Sequence, residues 1–268
     1  MTIHVDPDWW KSLFDDVYLI TDARSVCNDD LTSKEVDLFC DLIPLAPTDR
    51  ILDLCGGQGR HSLELSRRGF TGCTVVDYSQ ILIDKGTNIA ASCRLPVRFI
   101  RGDARRLDIA SDYFQHVMIL GNSLGYVRDE GADAQILNES FRVLQPGGWL
   151  LLDVSDGSVV RKRFLPNAWH EIGDDIVVCR QRELHNDYVC AREVVIKKSD
   201  GLIRDCTYGM RLYDAVSLRE LVKTCGFELI QVHTDFSPIE IQGDLGFMNN
   251  RMLITAQKPQ SRCPEKEN

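Results

Sequence analysis

A doubly wound, mostly parallel α/β sheet of seven strands is the fold this chain predicts, with helices before it and an antiparallel β-insertion within it. Three observations carry that expectation. Strand-like and helix-like patterns alternate from residue 50 to about 154, the rhythm of a parallel sheet covered on both faces. A glycine-rich turn, Cys55-Gly56-Gly57-Gln58-Gly59, follows the first of those strands and leads straight into a helical pattern. Beyond Phe164 the rhythm changes to alternating segments separated by Asn186-Asp187 and Ser199-Asp200-Gly201, the turn chemistry of a meander.

Residues 1–45 read as a helical cap. Asp8 is placed to cap a helix carrying Trp9, Trp10, Leu13, Phe14, Val17 and Tyr18 on its apolar side. A second helix runs from Thr32 or Ser33 to Leu42 and stops near Pro44. The core spans 46–160, with strands at 51–54, 72–76, 97–101, 116–120 and 149–154 and helices at 62–68, 79–92 and 133–144. Gly69 ends the first of these helices, and Gln145-Pro146-Gly147-Gly148 stops the last. Strands at 175–184, 188–198 and 202–213 make up the insertion, 161–213, read as a lid, a substrate wall or a dimer contact. A capped helix at 217–225 and strands near 229–234 and 251–257 complete the core over 214–258. Proline and charge dominate 259–268, which reads as a disordered tail.

The 268 residues suffice for one substantial core with an elaboration, and 44% hydrophobic and 26% charged residues are ordinary for a globular chain. A net charge of −9 argues against a broad footprint for nucleic acid or anionic membrane. The basic trio Arg161-Lys162-Arg163 reads as a solvated helix end. No apolar stretch approaches the roughly 20 residues that span a bilayer, and MTIHVDPDWW lacks the features of a signal peptide. The expected compartment is therefore the cytoplasm. Ten cysteines are scattered singly, without Cys-x-x-Cys or paired-histidine spacing, so reduced thiols are expected and no metal.

Glycines suit a turn where backbone lies close to a ligand, and Asp53 directly before them decides which ligand. Under a pyrophosphate its carboxylate repels; near an ammonium or a ribose hydroxyl it attracts. The dinucleotide fingerprint also fails at its third glycine, where Ser62 stands. Three more signals close successive strands: Asp77, Gly102-Asp103-Ala104 and Leu120-Gly121-Asn122-Ser123. Each acid alone reads equally as a helix cap. Asp77 can accept both hydroxyls of a ribose, and Asp103 with the Ala104 N–H offers the acceptor and donor that an adenine edge needs. Their arrival together at consecutive strand ends, where ligands of open α/β sheets bind, favours a nucleoside site.

With LDLCGGQGRH, VVDYS, GDAR and RVLQPGGWLLLDV, the chain resembles the class I S-adenosylmethionine-dependent methyltransferases. The resemblance is strong over about 50–154 and weaker from Arg211 onward, and it is greatest to small-molecule enzymes with a β-insertion after the fifth strand. It implies a Rossmann-like methyltransferase fold and S-adenosylmethionine as cofactor. It places the methionine moiety by Asp53, Gly56, Gly57 and Gly59, the ribose on Asp77, and the adenine against Tyr78 and between Asp103 and Ala104. Leu120 and Asn122 then flank the methionine end. Tyr18 closes over the cofactor or simply packs the core, and Arg60, followed by His61, joins the site or lies on a helix surface.

The resemblance further implies in-line methyl transfer to an N or O nucleophile of a small molecule. After the fourth strand the chain reads Asn122-Ser123-Leu124-Gly125, without the proline pair of exocyclic-amine nucleic-acid enzymes or the nucleophilic cysteine of cytosine C5 enzymes. Tyr126, Arg211 and Tyr213 are the candidates for the acceptor pocket; Arg211 and Tyr213 suit a substrate carboxylate or phosphate, and equally an edge salt bridge. No residue stands out as a general base, and His170, His185 and His233 lie in the variable half. The expected state is monomer or homodimer, without nucleic-acid or membrane partners. A nicotinamide-dependent oxidoreductase, or a non-catalytic module that binds S-adenosylmethionine, are the alternatives.

Overall fold

A computed structural model describes residues 2–129, 131–236 and 251–260. Its main sheet has seven strands: β1 (Arg50–Leu54), β2 (Gly72–Asp77), β3 (Arg98–Arg101), β4 (Phe114–Ile119), β5 (Leu144–Ser155), β10 (Glu228–Phe236) and β11 (Arg251–Gln257). Their order is β10-β11-β5-β4-β1-β2-β3, and only β11 runs against its neighbours. The order reverses between β1 and β4, which opens the ligand crevice beyond the carboxyl ends of those strands. Helices α3 (Asp29–Leu42), α4 (Arg60–Arg67), α5 (Gln80–Cys93), α6 (Ala132–Val143) and α8 (Ala215–Thr224) cover the sheet. One face buries Leu52, Val117, Leu150 and Ile254 against α6 and α8; the other buries Ile51, Met118 and Leu151 against Val36, Phe39 and Leu65. Central strands read as apolar runs because both of their faces are covered.

A second, antiparallel sheet orders β6 (Asn167–Ile172), β7 (Ile176–His185), β8 (Tyr188–Lys197) and β9 (Gly201–Arg211). The short helix α7 (Gly157–Lys162), capped by Asp156, leads into it, and the basic trio forms that helix's exposed end. Strand β6 was absent from the sequence reading. As an edge strand it alternates between exposed and half-buried positions, with Trp169 70% exposed, and so lacks the apolar face that marks a strand.

Three other expectations need correction. Asp8 makes no capping bond, and residues 9–11 form only a 3-10 turn. The helix that follows, α1 (Asp16–Thr21), is capped by Asp15, which accepts from the Val17 and Tyr18 N–H groups. After the brief α2 (Ala23–Val26), helix α3 starts earlier than Thr32 because Asn28 caps it through the Leu31 N–H. Gln145-Pro146-Gly147-Gly148 stops α6 yet already belongs to β5, as a bulged entry in which Gly147 N–H and Gly148 C=O pair with Lys258. The nine cysteines among the described residues are unbridged, and no described helix is long and apolar enough to cross a membrane. Most of the expected tail, 261–268, lies outside the described residues.

Candidate functional site

Two connected cavities occupy the crevice, sharing Phe14, Tyr18, Cys55, Gly57 and Tyr126 among their walls. The N-terminal segment, the strand ends of the main sheet and the inner face of the second sheet enclose them.

Asp53 is fully buried at the end of β1. Its Oδ2 accepts from Ser62 Oγ at 2.9 Å, while its Oδ1 has no hydrogen-bond partner. Burial pushes its carboxyl above the usual range, against the pull of His61 and Ser62. A Cβ on Gly56 would come within 2.6 Å of the Asp53 carboxyl carbon, so only glycine lets the chain cross over that group. Gly59 turns with φ +73°, and a Cβ there would strike the Phe99 ring at 2.7 Å. Gly57 N–H donates to Asp77 Oδ2 and Ser79 N–H to Asp77 Oδ1, both at 2.8 Å, which ties the end of β2 to the glycine turn. Burial again raises the Asp77 carboxyl, partly offset by those backbone donors.

Asp77, Tyr78, Asp103 and Ala104 line the second cavity together. Tyr78 meets Trp10 edge-on at 4.8 Å between ring centroids. Arg105 forks onto the Asp103 carboxylate and holds its titration below the usual range. Asp53, Gly56, Gly57, Leu120 and Asn122 line the first cavity, and Tyr18 and Tyr126 line both. Asn122 takes a left-handed φ of 63°; its N–H donates to Asp153 at 2.8 Å and its Oδ1 accepts from Ser155 N–H at 2.7 Å. Gly59 packs beneath the turn and lines neither cavity.

Arg60 and His61 both line the first cavity. Behind them lies Glu35, fully buried on α3 and bonded to Arg60, to His61 Nε2 and to Arg251. Burial alone would raise Glu35, but Arg60, His61 and Arg251 outweigh it and hold its carboxyl well below the ordinary range. Arg251 also pairs with Asp153, so an ionic chain runs from the glycine turn to Asn122. Arg60 Nη2 remains buried and without a hydrogen-bond partner.

Arg211 and Tyr213 do not join the cavities. Alternation along β9 turns Tyr208 and Met210 inward and therefore Arg211 away. Arg211 Nη1 and the Tyr213 hydroxyl instead donate to Asp133 Oδ2, at 2.9 and 2.6 Å. His170, His185 and His233 line neither cavity. The sequence reading missed Asp22, Arg180, Glu193, Arg204 and Tyr208, all on the wall of the first cavity. A signal existed for some of them: Val178, Arg180 and Arg182 are buried on one face of β7, where charge amid apolar residues marks a polar chamber.

A family model described as a methyltransferase domain matches residues 51–148, the span that holds the glycine turn, Asp77, Asp103 and Asn122. A putative methyltransferase of Bacillus subtilis, YqeM, is 27% identical over 213 residues, which cover 78% of this chain and 84% of that protein. The CcbJ methyltransferase of Streptomyces caelestis superposes with a TM-score of 0.75 at 18% identity, over 96% of this chain and all of that one. CalS10 of Micromonospora echinaspora, an amino pentose methyltransferase solved with S-adenosylmethionine bound, gives 0.64 at 18% identity, over 92% and 98% of the two chains. The chain thus carries a methyltransferase domain over residues 51–148, and its fold is that of S-adenosylmethionine-dependent methyltransferases.

Proposed function

We propose that the chain transfers the methyl group to an N or O nucleophile of a small molecule, with the cofactor lying across both cavities. Asp77 takes the ribose hydroxyls; Tyr78, Asp103 and Ala104 take the adenine; Asp53, Gly56 and Gly57, turned by Gly59, take the methionine end beside Leu120 and Asn122. One observation carries this reading. Asp53 Oδ1 and Arg60 Nη2 are a buried acceptor and a buried donor, both without partners, on residues that line one cavity. Buried polar groups are normally satisfied, and an amino-acid end offers the ammonium and carboxylate that match these two. A nicotinamide dinucleotide offers neither, and its pyrophosphate would face Asp53.

The cofactor supplies a sulfonium methyl already activated for transfer. What remains to the protein is alignment and the exclusion of water, and near-attack positioning is worth up to ~7–11 kcal/mol in the best cases. The aromatic side chains of Trp9, Phe14 and Tyr126 pack together over the cleft, with centroids 5.2–6.1 Å apart, and shield it from solvent. A small acceptor is favoured because the first cavity is walled by the second sheet and the N-terminal segment, and because a net charge of −9 suits a nucleic-acid acceptor poorly.

Thermal unfolding with S-adenosylmethionine, S-adenosylhomocysteine or NAD tests the assignment. Either sulfur nucleoside at a hundred times its Kd stabilises by ~2.7 kcal/mol, and Asp77→Ala should abolish that gain. Stabilisation by NAD alone would overturn the proposal.

A further inference from the structure

We infer that the acceptor nucleophile is an amine, and that Asp22 is the residue which pairs with it and takes its proton. The inference rests on the cofactor placement proposed above. It begins from an acid with an open oxygen. Asp22, between α1 and α2, lines the first cavity with its side chain 22% exposed. Its Oδ2 accepts from Thr21 Oγ1 at 3.0 Å and from Arg180 Nη2 at a long 3.4 Å. Among the described residues nothing donates to its Oδ1.

Arg180 is engaged mainly elsewhere: its Nε donates to Glu193 at 2.8 Å, directly across the strand pair. Arg204 lies 3.5 Å from the other Glu193 oxygen and pairs with Asp15. These cations therefore neutralise Asp22 only in part. A carboxylate so placed gains most from a cationic donor, and a protonated amine is one.

The other described groups of the chamber are engaged otherwise: Asp53 faces the ammonium of the cofactor in the placement proposed above, and Glu193 pairs with Arg180 and Arg204. Burial pushes the phenols of Tyr18, Tyr126 and Tyr208 upward, so they remain protonated and act as hydrogen-bonding walls. His61 is bonded to Glu35. The Asp22 carboxyl is itself raised by burial, against Arg180. That brings it toward an ammonium and leaves it far too weak a base for an alcohol. In the step, Asp22 accepts a proton from the ammonium and frees the nitrogen lone pair. The lone pair attacks the methyl carbon as the carbon–sulfur bond breaks, and sulfur keeps that electron pair as a neutral thioether. The methylated ammonium leaves with its charge, and Asp22 returns its proton to water.

The test uses the full chain, S-adenosylmethionine carrying a 13C methyl group, and a small-metabolite extract as the source of acceptor. The chemical shift of the transferred methyl distinguishes attachment to nitrogen, oxygen or carbon. N-methyl product is expected, falling by ~10²-fold or more with Asp22→Asn. Thermal stabilisation by S-adenosylhomocysteine should be unchanged in that variant, which shows that it folds and keeps its cofactor site. Methyl on oxygen or carbon, N-methylation undiminished by Asp22→Asn, or no methyl product from a protein that binds the cofactor would each overturn the inference. Failure of the wild type to bind either sulfur nucleoside would instead overturn the cofactor placement beneath it.

Discussion

Asp53 and Gly56 form a pair in which each explains the other. A carboxylate buried against a backbone crossing leaves no room for a side chain, and the crossing in turn keeps water from the carboxylate. Gly56→Ala should therefore cost ~1–3 kcal/mol through overpacking, read by urea unfolding, and should displace the carboxylate enough to lose stabilisation by S-adenosylmethionine. Unchanged ligand stabilisation in a folded Gly56→Ala protein would separate the turn from the cofactor. The raised titrations of Asp53 and Asp77 also set a pH dependence. An acid whose folded pKa exceeds its unfolded one is protonated more readily when folded, so its burden on stability is full at neutral pH and eases as pH falls. Binding the ammonium and ribose uses the charged form and must weaken over the same fall, from above the ~3.9 of a free aspartate. The thermal shift given by S-adenosylmethionine should shrink as pH falls from neutral toward the range of a free aspartate. A constant shift down to about pH 4 would mean that neither carboxylate's charge contributes to binding.

Between elements, ionic contacts of similar appearance should differ widely in worth. Glu35 on α3 joins two residues of α4 to Arg251 of β11 and has no exposure. Glu35→Gln removes the carboxylate that Arg60 faces and one of the two that Arg251 faces, Asp153 remaining to the latter, and breaking a buried pair in this way costs ~3–5 kcal/mol. The exposed Arg192–Asp205 pair, on neighbouring strands β8 and β9, is screened by solvent, and Arg192→Ala should lose far less stability than Glu35→Gln. Equal losses in the two variants, measured by denaturant unfolding, would contradict this contrast. The same distinction explains what was legible in the sequence. Core strands announced themselves because burial on both faces demands unbroken apolar runs such as Trp149 to Leu152. The strand-end acids were legible because chemistry fixes their type at a topologically fixed place. The acceptor wall was not: Asp22, Arg180, Glu193 and Arg204 come together across 182 residues of chain, and each looks locally like a surface charge. Arg211 and Tyr213 were misplaced because alternation of side chains places a residue on a face only once the register is known.

For the whole molecule, the cleft joins three parts that are far apart in sequence, so its ligand should stiffen all three at once. The N-terminal segment is tied to the strand ends and the second sheet by polar contacts at several points: Ser79 Oγ donates to the Phe14 carbonyl at 2.6 Å, Arg204 pairs with Asp15, and Gln58 Nε2 donates to the Val26 carbonyl at 2.9 Å. A terminal segment of this kind opens at a lower free-energy cost than the sheet core, and its amides exchange accordingly faster. A ligand that touches Tyr18, the glycine turn and Asp77 must be released before any of these can open, which adds its binding free energy to each local opening. At a hundred times Kd this is ~2.7 kcal/mol, or roughly a hundredfold slower exchange. S-adenosylhomocysteine should therefore slow exchange together at 13–26, 53–59 and 77–79. Helix α8, none of whose residues lines the cleft, should be unaffected below the level of global opening. Protection at 53–59 without protection at 13–26 would place the cofactor on the strand ends alone and leave the N-terminal segment, Asp22 with it, outside the closed site.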